Sequence, residues 1–120
     1  MKPVLLVFNM SAERMAVMER IARLLKAQIK EVPAAGQQQT IAVLLGAAPA
    51  GQINPMLVPF KEEMLLMSGL KDGQIDLLLN AWRQNGQPPV RLKAVVTPVN
   101  FTWTAAQLCR ALKSEDAALH

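Results

Sequence analysis

The chain has 120 residues, 52% hydrophobic and 18% charged, with a net charge of +4 and a pI near 9.6. This composition excludes a disordered chain, is enough for one domain (1–120) with a buried core, and contains no apolar run near the roughly 20 residues of a membrane helix. A single cysteine, Cys109, excludes an internal disulfide and a multi-cysteine metal site, and the single histidine, His120, is the last residue, so histidine-based catalysis is not expected.

Val4-Leu5-Leu6-Val7-Phe8 is a continuous apolar run and predicts a strand buried on both faces. It is too brief for a signal sequence, so a cytoplasmic protein is expected. Ser11 is a good N-cap for a helix to about Ala27, with Met15, Met18, Ile21, Ala22 and Leu25 on its apolar side, widened by Val17 and Leu24. Met1, Met10, Met15 and Met18 are not a cofactor box; three of them sit where a core needs apolar volume. Arg23, Lys26 and Lys30 form a basic stripe that reads as a solvated face. Ile29 to Pro33 suits an edge strand, Ala34 to Gln39 a polar loop, Thr40 to Gly46 a short helix, and the proline-rich Ala47 to Phe60 a loop.

Met64-Leu65-Leu66-Met67 predicts a second doubly buried strand, ended by Ser68-Gly69. A helix over Asp72 to Asn85 follows, with Ile75, Leu78, Leu79 and Trp82 as its apolar face and Gly86 as its stop. Leu92, Ala94, Val95 and Val96 form the last strand, ended by Thr97-Pro98. Thr104-Ala105-Ala106-Gln107 then fits a capping box, and Trp103 with Leu108 has the spacing of a hydrophobic staple.

An offset of 60 brings Leu5 onto Leu65, Leu6 onto Leu66, Val7 onto Met67, Met10 onto Leu70, Met15 onto Ile75 and Met18 onto Leu78. Both halves read strand, tight turn, helix, strand. An old duplication explains this, and so do two βαβ units obeying the same rules. The alternation predicts an α/β fold: a small four-stranded, largely parallel sheet, order 2-1-3-4, with helices on both faces. The alternative is a ferredoxin-like α+β domain. The expected division is a first strand-helix-strand unit over 1–34, a crossover over 35–62, and over 63–115 a second such unit plus a C-terminal helix.

No Gly-rich phosphate loop follows either buried strand, and no serine has a histidine base. Adjacent Glu62 and Glu63 point opposite ways on an extended chain and make a poor acid–base pair. In an all-parallel sheet the loops after the strands converge where the order switches. That geometry nominates Asn9, Ser11, Ser68, Gly69, Thr97, Asn100 and Trp103 as ligand-binding candidates, with Lys71 nearby. Each also has a capping or turn role available, except Asn100, which the sequence leaves without a full structural explanation.

The residues Met64-Leu65, Ser68-Gly69-Leu70, Leu92 to Pro98, Asn100, Trp103 and Leu108, with their Lys-Ala-Val-x-Thr-x-x-Asn-x-x-Trp spacing, carry a resemblance to a short bacterial, Firmicute-type domain-of-unknown-function family. It spans Glu63 to Glu115. The first half agrees in its strand-helix-strand outline and in Gln39-Thr40 followed by Leu44-Leu45-Gly46. The resemblance implies no activity and no cofactor.

The sequence therefore reads as a non-enzymatic binding or regulatory module with no cofactor, no metal and no membrane partner, and with self-association as a homodimer one expectation. Nucleic-acid contact through the basic helix face is a disfavoured alternative, and a small enzyme at Asn9, Ser68 and Asn100 another.

Overall fold

A computed structural model describes residues 2–119, so Met1 and His120, named above, lie outside the described residues. The four strands β1 (Val4–Phe8), β2 (Gln28–Val32), β3 (Met64–Ser68) and β4 (Leu92–Val95) form one sheet in the order β2-β1-β3-β4. β1 pairs parallel with β2, and β3 parallel with β4. The central pair, β1 with β3, is antiparallel, with Val4 opposite Ser68 and Phe8 opposite Met64. The sheet is thus largely parallel with one antiparallel join, and its order and two covered faces rule out the ferredoxin-like alternative.

Strand side chains alternate between faces. Leu5, Val7, Leu65 and Met67 meet α1 (Ala12–Leu24) and α3 (Asp72–Gln84). Leu6, Phe8, Met64 and Leu66 face the opposite way, onto α2 (Ile41–Leu44) and α4 (Ala105–Leu119). Burying both faces explains why β1 and β3 are unbroken apolar runs. The expected core side of α1 is present except for Leu24, which is 74% exposed. Lys30 stands on β2, not on the helix, and its Nζ donates to the Leu44 carbonyl at 3.2 Å, so it is separated from Arg23 and Lys26.

The two halves are related by an internal approximate two-fold axis. The offset of 60 carries Val4–Phe8 onto Met64–Ser68 and Ala12–Leu24 onto Asp72–Gln84. Leu6 is both the equivalent of Leu66 and its antiparallel partner, which places the axis between them. Backbone outliers repeat too: Asn9 (φ 56°) matches Gly69 (φ 78°), and Lys26 (φ 54°) matches Gly86 (φ 76°). The first pair makes the strand-to-helix turn and the second ends the helix, and both need the left-handed region. After α3 the offset becomes 64, since Gln28 pairs with Val4 as Leu92 pairs with Met64.

The second crossing of the axis lies between Thr40 and Thr104, which form an isolated antiparallel bridge. The Ile41 N–H donates to the Trp103 carbonyl at 2.9 Å, and the Ala105 N–H to the Gln39 carbonyl at 3.1 Å. Each threonine caps its own helix: Thr40 Oγ1 accepts from Val43 N–H (3.2 Å) and Thr104 Oγ1 from Gln107 N–H (3.1 Å). Gln107 completes the predicted box by accepting from Thr104 N–H at 2.8 Å. Thr104→Ala is expected to cost about 1 kcal/mol, the usual loss for an N-cap. Urea denaturation measures it, and Thr104→Ser should restore most of the loss.

The extra four residues in the second half lie between α3 and β4 and fold onto a joint with β3 and α1. Arg14 donates through Nε (2.8 Å) and Nη2 (2.6 Å) to the two Glu63 oxygens, and through Nη1 to the Pro88 carbonyl at 3.1 Å. Its guanidinium lies 4.7 Å from the Trp82 ring, whose Nε1 donates to the same Pro88 carbonyl at 2.9 Å. Glu62 faces the other layer and pairs with Lys113 of α4 at 2.7 Å. The two glutamates thus point to opposite faces, as alternation requires.

Candidate functional site

The antiparallel join decides which loops meet. Because β1 and β3 run in opposite directions, the turn after β1 and the turn after β3 lie at opposite ends of the sheet. The convergence expected of an all-parallel sheet is therefore corrected. Asn9 and Ser11 stand at the Phe8 end, while Ser68, Gly69, Thr97 and Asn100 gather at the Val4 end. Trp103 lies near the axis, beside Gln107, Arg110, Ala111 and Ser114 on the outer side of α4.

At the Phe8 end the chain covers itself. Residues 51–60 form a strap laid along the 3-10 turn Ala34–Gln38 and α4. Three consecutive glutamines grip it, each using both ends of its amide on the backbone of one strap residue. Gln37 accepts from Phe60 N–H (2.8 Å) and donates to Phe60 O (3.1 Å). Gln38 does the same with Asn54 (2.7 and 2.8 Å), and Gln39 with Gly51 (2.8 and 2.9 Å). Asn9 Nδ2 adds bonds to the carbonyls of Phe60 (2.9 Å) and Glu62 (3.0 Å). The Phe60 ring rests 5.7 Å from that of Phe8. Asn54 closes a tight turn by accepting from Met56 N–H, and Met56 and Val58 are each 85% exposed beyond it. A cleft of about 480 Å³ remains beneath the strap, reaching Cys109 and Lys113. Cys109 itself is buried, and burial, with Glu62 as a lesser cause, raises its thiol pKa. Glu62 is held below the usual carboxylate range chiefly by its hydrogen bond with Lys113.

At the Val4 end no strap residue lies along the equivalent positions. A groove of about 500 Å³ has Val4, Ser68 and Val96 as its base and Leu45, Ala47, Pro98 and Phe101 along its sides, with Thr97 at the rim. Under the internal two-fold, Ser68 stands for Phe8, Val4 for Met64, Leu45 for Cys109, Pro98 for Ala34 and Phe101 for Gln37. The groove is open for two reasons. Serine replaces phenylalanine at its base, and two units need only one connecting segment, so the strap covers one end alone.

Asn100 now has its structural account. Its Oδ1 accepts from Thr97 N–H (2.8 Å), its Nδ2 donates to the Val95 carbonyl (3.1 Å), and its own N–H donates to Thr97 Oγ1 (3.2 Å). It sets the shape of the Thr97–Phe101 wall and does not itself enter the groove. Ser11 caps α1 by accepting from Arg14 N–H at 3.3 Å. Gly69 lies against the incoming chain: a Cβ there would sit 3.3 Å from Pro3 Cα. The Ser68 hydroxyl makes no side-chain hydrogen bond among the described residues. Sequence reasoning missed Leu45, Val96 and Phe101 of this groove, and the three glutamines at the other end. The run Gln37-Gln38-Gln39 was the available signal.

Among the described residues, no group of three or more His, Cys, Asp or Glu side chains is placed to hold a metal ion, and no helix is long and apolar enough to cross a membrane. Residues 63–119 match the family model described as Domain of unknown function (DUF3783). No curated protein and no solved structure matches the chain. The matched segment holds β3, α3, β4 and α4 and contributes Ser68, Val96, Thr97, Pro98 and Phe101 to the groove.

Proposed function

We propose that this protein is a non-enzymatic binding module and that its site is the open groove at the Ser68–Thr97 end. One observation carries this reading: the fold builds two equivalent ends, lays its own strap along one, and leaves an apolar groove with no strap at the other. Apolar concavities with a few polar groups at the rim are the usual form of ligand sites. Val96, Pro98 and Phe101 supply the apolar surface, and the Ser68 hydroxyl supplies a polar group with bonding capacity to spare. Gly69 and Asn100 act as positioning residues, the first for the turn and the second for the wall. The four candidates from the sequence at this end thus divide into two that border the hollow, Ser68 and Thr97, and two that shape it.

The test is binding of the fluorescent apolar anion anilinonaphthalene sulfonate to the folded chain. Its emission should rise, and Phe101→Ala or Ala47→Glu should reduce the rise. Emission that does not change on adding the protein, or a rise that both variants leave intact, would contradict the assignment of this groove.

A further inference from the structure

The two-fold relation identifies what the open groove takes, because its filled twin displays an occupant. At the Phe8 end the occupant is a polypeptide segment, the strap, and its Phe60 ring lies 5.7 Å from Phe8 in the apolar layer with Val32 and Met64. At the Val4 end, Ser68, Val96 and Val4 hold the positions of Phe8, Val32 and Met64.

We propose that the open groove takes an extended, apolar segment of a partner polypeptide, with an aromatic side chain entering over Ser68 as Phe60 lies over Phe8. This rests on the reading of that groove as the binding site. The mode of grip differs between the ends. Gln37 holds the strap by its backbone, and a backbone clasp is indifferent to side chains. Phe101 stands in the place of Gln37 and offers a ring face, so the open end selects for apolar and aromatic side chains. Pro98 beside it suits an extended, proline-containing segment, and the strap, with Pro55 and Pro59, is itself of that composition.

The probe is a synthetic peptide with the sequence of Ile53 to Phe60, titrated into the isotope-labelled full chain while amide shifts are followed. The expected result is saturable shifts at Val4, Ser68, Val96 and Phe101, with Gln37 to Gln39 unmoved. Ala47→Lys, on the exposed rim, should weaken the peptide by roughly tenfold or more by placing a charge against apolar side chains, without disturbing the fold. A peptide in which alanine replaces its final phenylalanine should bind no better than that variant does. If the peptide moves none of these amides while anilinonaphthalene sulfonate moves them, the binding site stands and the peptide assignment falls. If neither ligand moves them, both fall. Shifts at the same amides on diluting the protein alone would identify a second copy of the chain as the occupant and overturn the proposal. Shifts at Gln37 to Gln39 would mean that the peptide displaces the strap, and would overturn it too.

Discussion

Gln37→Ala should destabilise the protein by roughly 2–4 kcal/mol, far more than a polar residue in a loop ordinarily does. Gln37 is 2% exposed, and both of its bonds go to one residue, Phe60. Without it the Phe60 carbonyl keeps the Asn9 amide, but the Phe60 N–H is left in a partly buried place with no acceptor. That unpaired donor, rather than the lost bond, is the larger part of the cost. Gln38→Ala should cost only about 0.5–1.5 kcal/mol, because Asn54 is exposed and water replaces the amide. Urea denaturation gives the stability, and limited proteolysis reports whether the strap opens before the rest.

Gln37→Glu sharpens the same point. An ionised carboxylate keeps an acceptor for Phe60 N–H but turns its second oxygen toward the Phe60 carbonyl. Burial and that repulsion raise its folded pKa above the unfolded value of about 4.3. The folded variant then binds more protons than the unfolded chain between those two pKa values, so its stability falls as pH rises through them. Measured against the native chain at each pH, the variant should gain stability between pH 7 and pH 5, as its protonated acid regains a donor for the carbonyl. A difference independent of pH would place residue 37 in water, outside the clasp.

The second large effect is at Trp82. Trp82→Ala should remove about 3–5 kcal/mol, a large share of the roughly 5–15 kcal/mol that holds a domain together. The ring is buried between α1 and α3, it is the surface on which the Arg14 guanidinium lies, and its Nε1 fixes Pro88. Trp82→Phe keeps a ring beneath Arg14 and loses the Nε1 bond, for about 1–2 kcal/mol. Thermal unfolding separates the two variants, and Trp103 remains as a fluorescence probe in both.

Much of this fold is legible in the sequence because its signals are local. The runs Val4–Phe8 and Met64–Met67 announce strands covered on both faces, and Thr104 with Gln107 announces a helix start. The direction of the central pair is not legible, since a doubly buried strand carries the same apolar pattern whichever way its neighbour runs. The parallel reading of that pair places Asn9 and Ser68 at one end, and the antiparallel pair separates them. The glutamine clasp is hidden for a different reason. Its acceptors and donors are backbone groups of Gly51, Asn54 and Phe60, which every sequence possesses, so three polar residues read as a solvated loop. Asn100 looked unexplained because its partners are likewise backbone groups, at Val95 and Thr97, together with one hydroxyl.

The central claim is that the two ends are equivalent places, one covered and one open. Cys109 at the covered end and Leu45 at the open end are two-fold mates, so a thiol at each position compares them directly. The measurement is the rate of labelling by a small thiol reagent in the native state, for the unaltered chain and for a chain carrying Leu45→Cys with Cys109→Ala. The account predicts that the thiol at position 45 labels on the order of 100-fold faster, because it is half-buried at the groove whereas Cys109 is 1% exposed and waits for a local opening. Equal rates at the two positions would contradict it.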